Sequence, residues 1–201
     1  MYVSRRALIG GALALCIAKP AQAARLTSVK VTEAARLPLI RPDWPVPKEP
    51  NQLFFIQRST NPNTVVYTAR FNGSGVLHPD RPAQVYWRRY NTTGERMALR
   101  AFERRFAFGM RVRPLDQPGE WIVNAVAAPM FPMRLRQAGP FKAEVRTRIG
   151  GRLVRPVYGF VSVDESGLLP RVTAFSFHGI DPETGRALSE LFSVTDGEFS
   201  Q

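Results

Sequence analysis

Arg58, Asn61 and Asn63 fall close together in the chain, and their side chains suit an anionic or polar ligand. Guanidinium presents a fork of donors, and each amide both donates and accepts. The two asparagines flank Pro62 and suit a turn between strands equally well, their side chains bonded to local backbone. Tyr67 and Trp87 add aromatic surface with a polar tip. Glu103-Arg104-Arg105 sets a carboxylate beside guanidiniums, an arrangement open to acid–base work or, more simply, to an ion pair that locks a helix onto a sheet. The candidate ligand set is therefore Arg58, Asn61, Asn63, Tyr67, Trp87, Glu103 and Arg104. Tyr86 precedes Trp87 on a predicted strand, so the two point to opposite faces, one for the core and one for a mouth.

Other chemistries find little support. His78 and His178 are the only histidines, and a metal site would need both to converge with a carboxylate such as Asp80 or Asp181. No Gly-x-Ser-x-Gly elbow, phosphate-binding loop or dinucleotide fingerprint occurs. The single cysteine is Cys16, inside a segment with the three parts of a secretory signal: Arg5 and Arg6, an apolar run over 7–18, and the small-residue triplet Ala21-Gln22-Ala23. The run is 12 residues long, whereas about 20 span a bilayer as a helix, so it reads as a leader cleaved before Ala24. Ser4-Arg5-Arg6-Ala7-Leu8-Ile9 resembles the twin-arginine export motif, with an ordinary secretory signal as the alternative. The expected location is the periplasm. A mature chain without cysteine has no thiolate for iron–sulfur, covalent haem, cysteine–zinc or thiol-nucleophile chemistry, and no cofactor is expected.

Charge narrows the partners. Removing Arg5, Arg6 and Lys19 with the leader leaves 25 basic residues against 16 acidic ones, a net charge of +9. Residues 52–113 carry 11 arginines against Asp80, Glu95 and Glu103, while residues 159–201 carry seven acids against Arg171 and Arg186. Such asymmetry suits complementary halves, a solvated basic surface, or a face for anionic envelope material. No nucleic-acid motif accompanies it, so the expected partners are a small or anionic ligand and an envelope protein or membrane surface, not nucleic acid.

The elements that must position these residues are mostly strands. Residues 38–50 hold five prolines in thirteen residues, which favours extended chain, and 24–50 reads as an extended arm or linker before a single β domain over 51–201. Trp44 is placed to dock on that domain or on a partner. Period-two patterning marks strands over 52–58, 63–71, 84–90, 120–127, 130–137, 141–149, 152–163 and 171–178. The pair 141–149 and 152–163 reads as a hairpin turning at Gly150-Gly151. One segment differs: Leu99, Phe102 and Phe106 recur at helical spacing opposite Arg96, Arg100 and Arg104, a short amphipathic helix ended by Gly109 and packed on the core, with an anionic membrane as its other possible surface. A second, weaker helix is expected over 186–192. About eight antiparallel strands with one short helix predict an all-β barrel, or a closed sandwich, whose interior is filled or holds one small ligand.

The segments "LFFIQRSTNPNTVVYTARF", "VYWRRY" and "ERRFAFGM" resemble the bacterial domain-of-unknown-function family 4833. Its recurring positions correspond to Arg58, Asn61, Asn63, Val65 and Tyr67, to Tyr86 and Trp87, and to Glu103, Arg104, Ala107, Phe108 and Gly109. Phe108 stands where the family usually has tyrosine, which argues against a role for that hydroxyl here. The resemblance implies a bacterial envelope protein and supplies no activity. The residues favour a non-catalytic domain that binds a small or anionic envelope ligand. A structural or interaction module, or an enzyme pairing Glu103 with His78 or His178, is the alternative.

Overall fold

The computed structural model describes residues 25–166 and 171–195; the expected leader 1–23, with Cys16, lies outside them. The strands are β1 (Arg25–Ala34), β2 (Gln52–Arg58), β3 (Asn61–Ala69), β4 (Ala83–Arg88), β5 (Arg96–Ala98), β6 (Met110–Pro114), β7 (Glu120–Ala125), β8 (Met133–Gly139), β9 (Lys142–Ile149), β10 (Arg152–Asp164), β11 (Arg171–Ile180) and β12 (Ala187–Thr195), with one helix, α1 (Ala101–Phe106). All eight predicted strands form. The predicted hairpin is β9–β10, with Ile149 opposite Arg152 and both Gly150 and Gly151 at positive φ, where a side chain would be strained.

The twelve strands make one mixed sheet. β10 is its spine. Residues 152–154 pair antiparallel with β9, and the remainder pairs antiparallel with β11 and, from Tyr158 to Val161, parallel with β2. One limb then runs from β10 through β2, β3 and β4 to β5, and another through β9, β8 and β7 to β6. Phe54, Tyr67 and Trp87 of the first limb share a core with Val123, Leu135 and Val145 of the second, and with Phe175 and Phe177 of β11.

The expected closed, antiparallel barrel is corrected on two counts. The β2–β10 pair is parallel, and the sheet stays open, because the path ends at β5 and β6 without joining them. β5 has only three residues, all paired with β4, and the chain crosses from β5 to β6 through α1 instead of pairing the two. The stretch 186–192 also departs from expectation, its residues 187–192 forming most of β12 rather than a helix. Leu188 and Phe192, four apart, satisfy either period, and backbone pairing with β1 on one side and β11 on the other decides for strand.

The proline-rich stretch is extended and lies on the domain. Leu37 and Trp44 cover Phe55, Tyr158 and Phe160 on the sheet's outer face, with Trp44 and Phe160 ring centroids 6.3 Å apart. Proline has a carbonyl but no N–H, and the contacts follow suit: Tyr158 donates to Pro38 O, and Gln57 Nε2 to Pro45 O at 3.1 Å. With both faces covered, β2 reads as an unbroken buried run from Leu53 to Gln57.

Candidate functional site

Most of the residues singled out by type and spacing gather where β2, β3, β4 and α1 meet. The asparagines serve the turn. Asn61 Oδ1 accepts the Asn63 N–H at 3.1 Å, and Asn63 Oδ1 accepts the Asn91 N–H at 3.1 Å, tying the β2–β3 hairpin to the loop after β4. Tyr67 is sealed in the core, stacked on Phe54 at 4.3 Å, and its hydroxyl donates to Phe108 O at 2.8 Å. Burial drives its pKa strongly upward. Glu103 Oε2 accepts the Arg100 N–H at 2.8 Å, which is half of a capping box; a guanidinium has no acceptor to supply the other half.

Trp87 sits between cations. The Arg58 guanidinium lies 5.6 Å and that of Arg89 4.9 Å from its ring, and Phe108 meets it edge-on at 5.0 Å. Three buried N–H groups here, Arg58 Nε, Trp87 Nε1 and Arg89 Nε, have no protein partner. Burial holds the Arg58 pKa below its ordinary value, with Arg89 adding repulsion and Glu165 and Glu103 opposing it. Gly109 lets the chain leave α1 tightly, since a Cβ there would collide with the Arg104 carbonyl.

Beside this cluster the open seam of the sheet forms a cleft of about 760 Å³. Ala83 and Val85 of β4 and Met110 and Val112 of β6 line it; the same four residues pack against the core. Arg70, Arg81, Arg96 and Arg104 surround them, with Asp80 as the lone acid. Among the described residues, no carboxylate forms an ion pair with any of these four arginines. Arg96 lies 3.7 Å over the Tyr86 ring, and Arg104 Nη2 donates to Leu99 O at 3.3 Å.

Tyr86 and Trp87 are both buried, and Tyr86 is the one that reaches the cleft. Burial and the nearby Glu49 push its phenol up to about 12, so it stays a neutral donor. The Arg88 hydrogen bond, joined by Tyr86, holds the Glu49 carboxyl below its usual range, and the Glu49–Arg88 ion pair fastens the proline-rich stretch to β4.

Of the predicted ligand set only Arg104 lines the cleft. Reading by motif misses Arg70, Arg81 and Arg96, although the arginine excess over 52–113 contains them all. The residues named for an enzyme have other partners. His78 Nδ1 accepts the Arg81 N–H at 3.3 Å. His178 is bonded to Ser176 and Ser189 and stacked on Tyr158 at 4.2 Å, and burial lowers its pKa to about 4. Among the described residues no cluster of three or more His, Cys, Asp or Glu gathers to hold a metal.

Fold and site define an all-β domain with a mixed sheet left open at an arginine-lined seam. The chain belongs to the family described as a domain of unknown function, DUF4833, which matches residues 54–191. No curated protein and no solved structure matches the chain.

Proposed function

We propose that the protein is an exported, non-catalytic binding module whose ligand is a small molecule with an anionic head and a short apolar body, held in the seam between β4–β5 and β6. The observation that carries this reading is the set of four arginines, without ion-pair partners among the described residues, around an apolar floor. Unpaired guanidiniums favour phosphate or carboxylate oxygens, which they engage two at a time, and the floor of Ala83, Val85, Met110 and Val112 rewards an aliphatic segment. Tyr86 adds aromatic surface, its hydroxyl being given to Glu49. The lining holds one carboxylate and no histidine, serine or cysteine, so it is richer in groups that bind an anion than in groups that exchange protons. The leader supports a periplasmic setting, where such ligands derive from the envelope.

Calorimetric titration with octyl phosphate tests the reading, with inorganic phosphate and octyl glucoside as half-ligands. Octyl phosphate is expected to bind more tightly than phosphate, and octyl glucoside not at all. Equal binding of octyl phosphate and octyl glucoside would refute an anion site. Native mass spectrometry of the protein recovered gently from its own periplasm would then give the natural ligand as an added mass.

A further inference from the structure

Periodicity predicts that the apolar side of α1 packs on the core, and it faces solvent instead. Leu99, just before the helix, is buried, while Phe102 is 72% and Phe106 61% exposed. No residue of the helix itself is buried. The two rings lean on each other at 5.3 Å. A single exposed apolar side chain is ordinary on a protein surface, but two adjacent phenylalanines form a patch. Arginines ring it: Arg100, Arg104 and Arg105 are exposed, and the Arg105 guanidinium lies 5.1 Å from the Phe106 ring. The only acid of the helix, Glu103, already caps it.

We propose that α1 docks the protein on an anionic membrane surface, with Phe102 and Phe106 entering the headgroup–acyl boundary and the arginines meeting lipid phosphates. Charge complementarity selects this occupant. An apolar protein groove would accept the rings without using the cations around them, whereas an anionic bilayer uses both. Arginine stems lie along apolar surface while their heads stay with the phosphates. The helix, about 9 Å long at 1.5 Å per residue, lies at the interface, and no described helix is long and apolar enough to cross a membrane. This docking does not rest on the cleft ligand.

Vesicle cosedimentation tests it, using the chain from Ala24, which retains every described strand and the whole core. Vesicles of phosphatidylglycerol and phosphatidylcholine in equal parts are compared with phosphatidylcholine alone. Binding is expected only to the anionic vesicles and should weaken with salt. It should fall by about tenfold or more in Phe102→Ala/Phe106→Ala and by about tenfold or more in Arg100→Gln/Arg105→Gln. Arg104, which lines the cleft, is left intact. The altered side chains are exposed, so both variants should melt with the parent protein, and octyl phosphate affinity should not change in the phenylalanine variant. Undiminished vesicle binding by that variant, equal binding to neutral vesicles, or a lipid-free dimer that the variant abolishes would each overturn the proposal, the last by making a second copy of the chain the occupant.

Discussion

Two surfaces of this molecule are rich in arginine, and they differ in what the arginines face. On the outer face of β7–β9, Arg134 pairs with Glu120, and Arg136 and Arg146 both pair with Glu144, at 2.6 and 2.5 Å. Arg134 and Arg146 stand directly across from each other on neighbouring strands, an unfavourable juxtaposition that the two glutamates offset. In the seam cleft the four arginines meet Asp80 alone in the lining and, among the described residues, pair with no carboxylate. Arginine count therefore does not identify the binding surface. A guanidinium whose charge is matched within the fold has little left for a ligand, and four without an ion-pair partner among the described residues line the place where the sheet fails to close.

The largest expected effect separates the two surfaces directly. Arg81→Gln/Arg96→Gln should weaken octyl phosphate binding about a hundredfold, taking about 1.5 kcal/mol for each charge-assisted hydrogen bond removed. Arg134→Gln/Arg136→Gln should change it by less than about twofold, since those cations already have partners. Similar losses in both variants would mean that binding follows overall charge and that the comparison is wrong.

Acid sharpens the comparison next. Arginine stays charged throughout, and the Glu144 carboxyl, pushed up by burial but held down more strongly by Arg136 and Arg146, titrates below its ordinary 4.5. His178 is the group that responds between neutrality and pH 5. Its ordinary pKa of 6.5 is lowered to about 4 by burial, so the unfolded chain takes up a proton that the folded one refuses. Stability is full above about 6.5 and is lost as pH falls toward about 4. From about pH 8 to about pH 5 the loss should be about 2 kcal/mol in urea denaturation, with octyl phosphate affinity per folded molecule unchanged. A flat stability profile over that range would place His178 in a more polar setting than its stack on Tyr158 provides.

Strand identity is legible where one face or both faces carry a clear period, and it fails where the decisive partner lies far along the chain. β9 alternates visibly in "KAEVRTRI", and the glycine pair announces its turn. β1 reads as arm because "RLTSVKVTEA" shifts register between Ser28 and Lys30 against β12, and a bulge erases local alternation. The openness of the sheet cannot be read at all, because period two reports faces and not closure. The motif cluster is legible by type: Arg58, Tyr67, Trp87 and Glu103 do converge, but beside the cleft rather than in it, where Tyr67 and Trp87 hold Phe108 and Glu103 caps α1. The cleft arginines come from a strand end, a turn, the three-residue β5 and α1, and no spacing rule joins such positions. Periodicity places α1 correctly but turns it over, since it identifies an apolar stripe without saying whether the protein or another surface covers it.

The smallest effect tests whether the outer face is quiet because three of its arginines, Arg134, Arg136 and Arg146, are matched, Arg148 having, among the described residues, only the Gly151 carbonyl. Glu120→Gln/Glu144→Gln removes the carboxylates from Arg134, Arg136 and Arg146 and should lower stability by about 1 kcal/mol at low salt, with the difference shrinking as salt screens the cross-strand repulsion. The same change should make this face resemble the seam in charge. The groove there, about 460 Å³ and lined by Gln117, Glu120, Leu153 and the four arginines of β8 and β9, should gain weak affinity for inorganic phosphate once Glu120 is neutral. It should gain little for octyl phosphate, because Leu153 is the only apolar side chain in its lining, against the four-residue floor of the seam. If the double variant instead bound octyl phosphate as the seam does, unpaired charge alone would make the site, and the apolar floor would have no part in choosing the ligand.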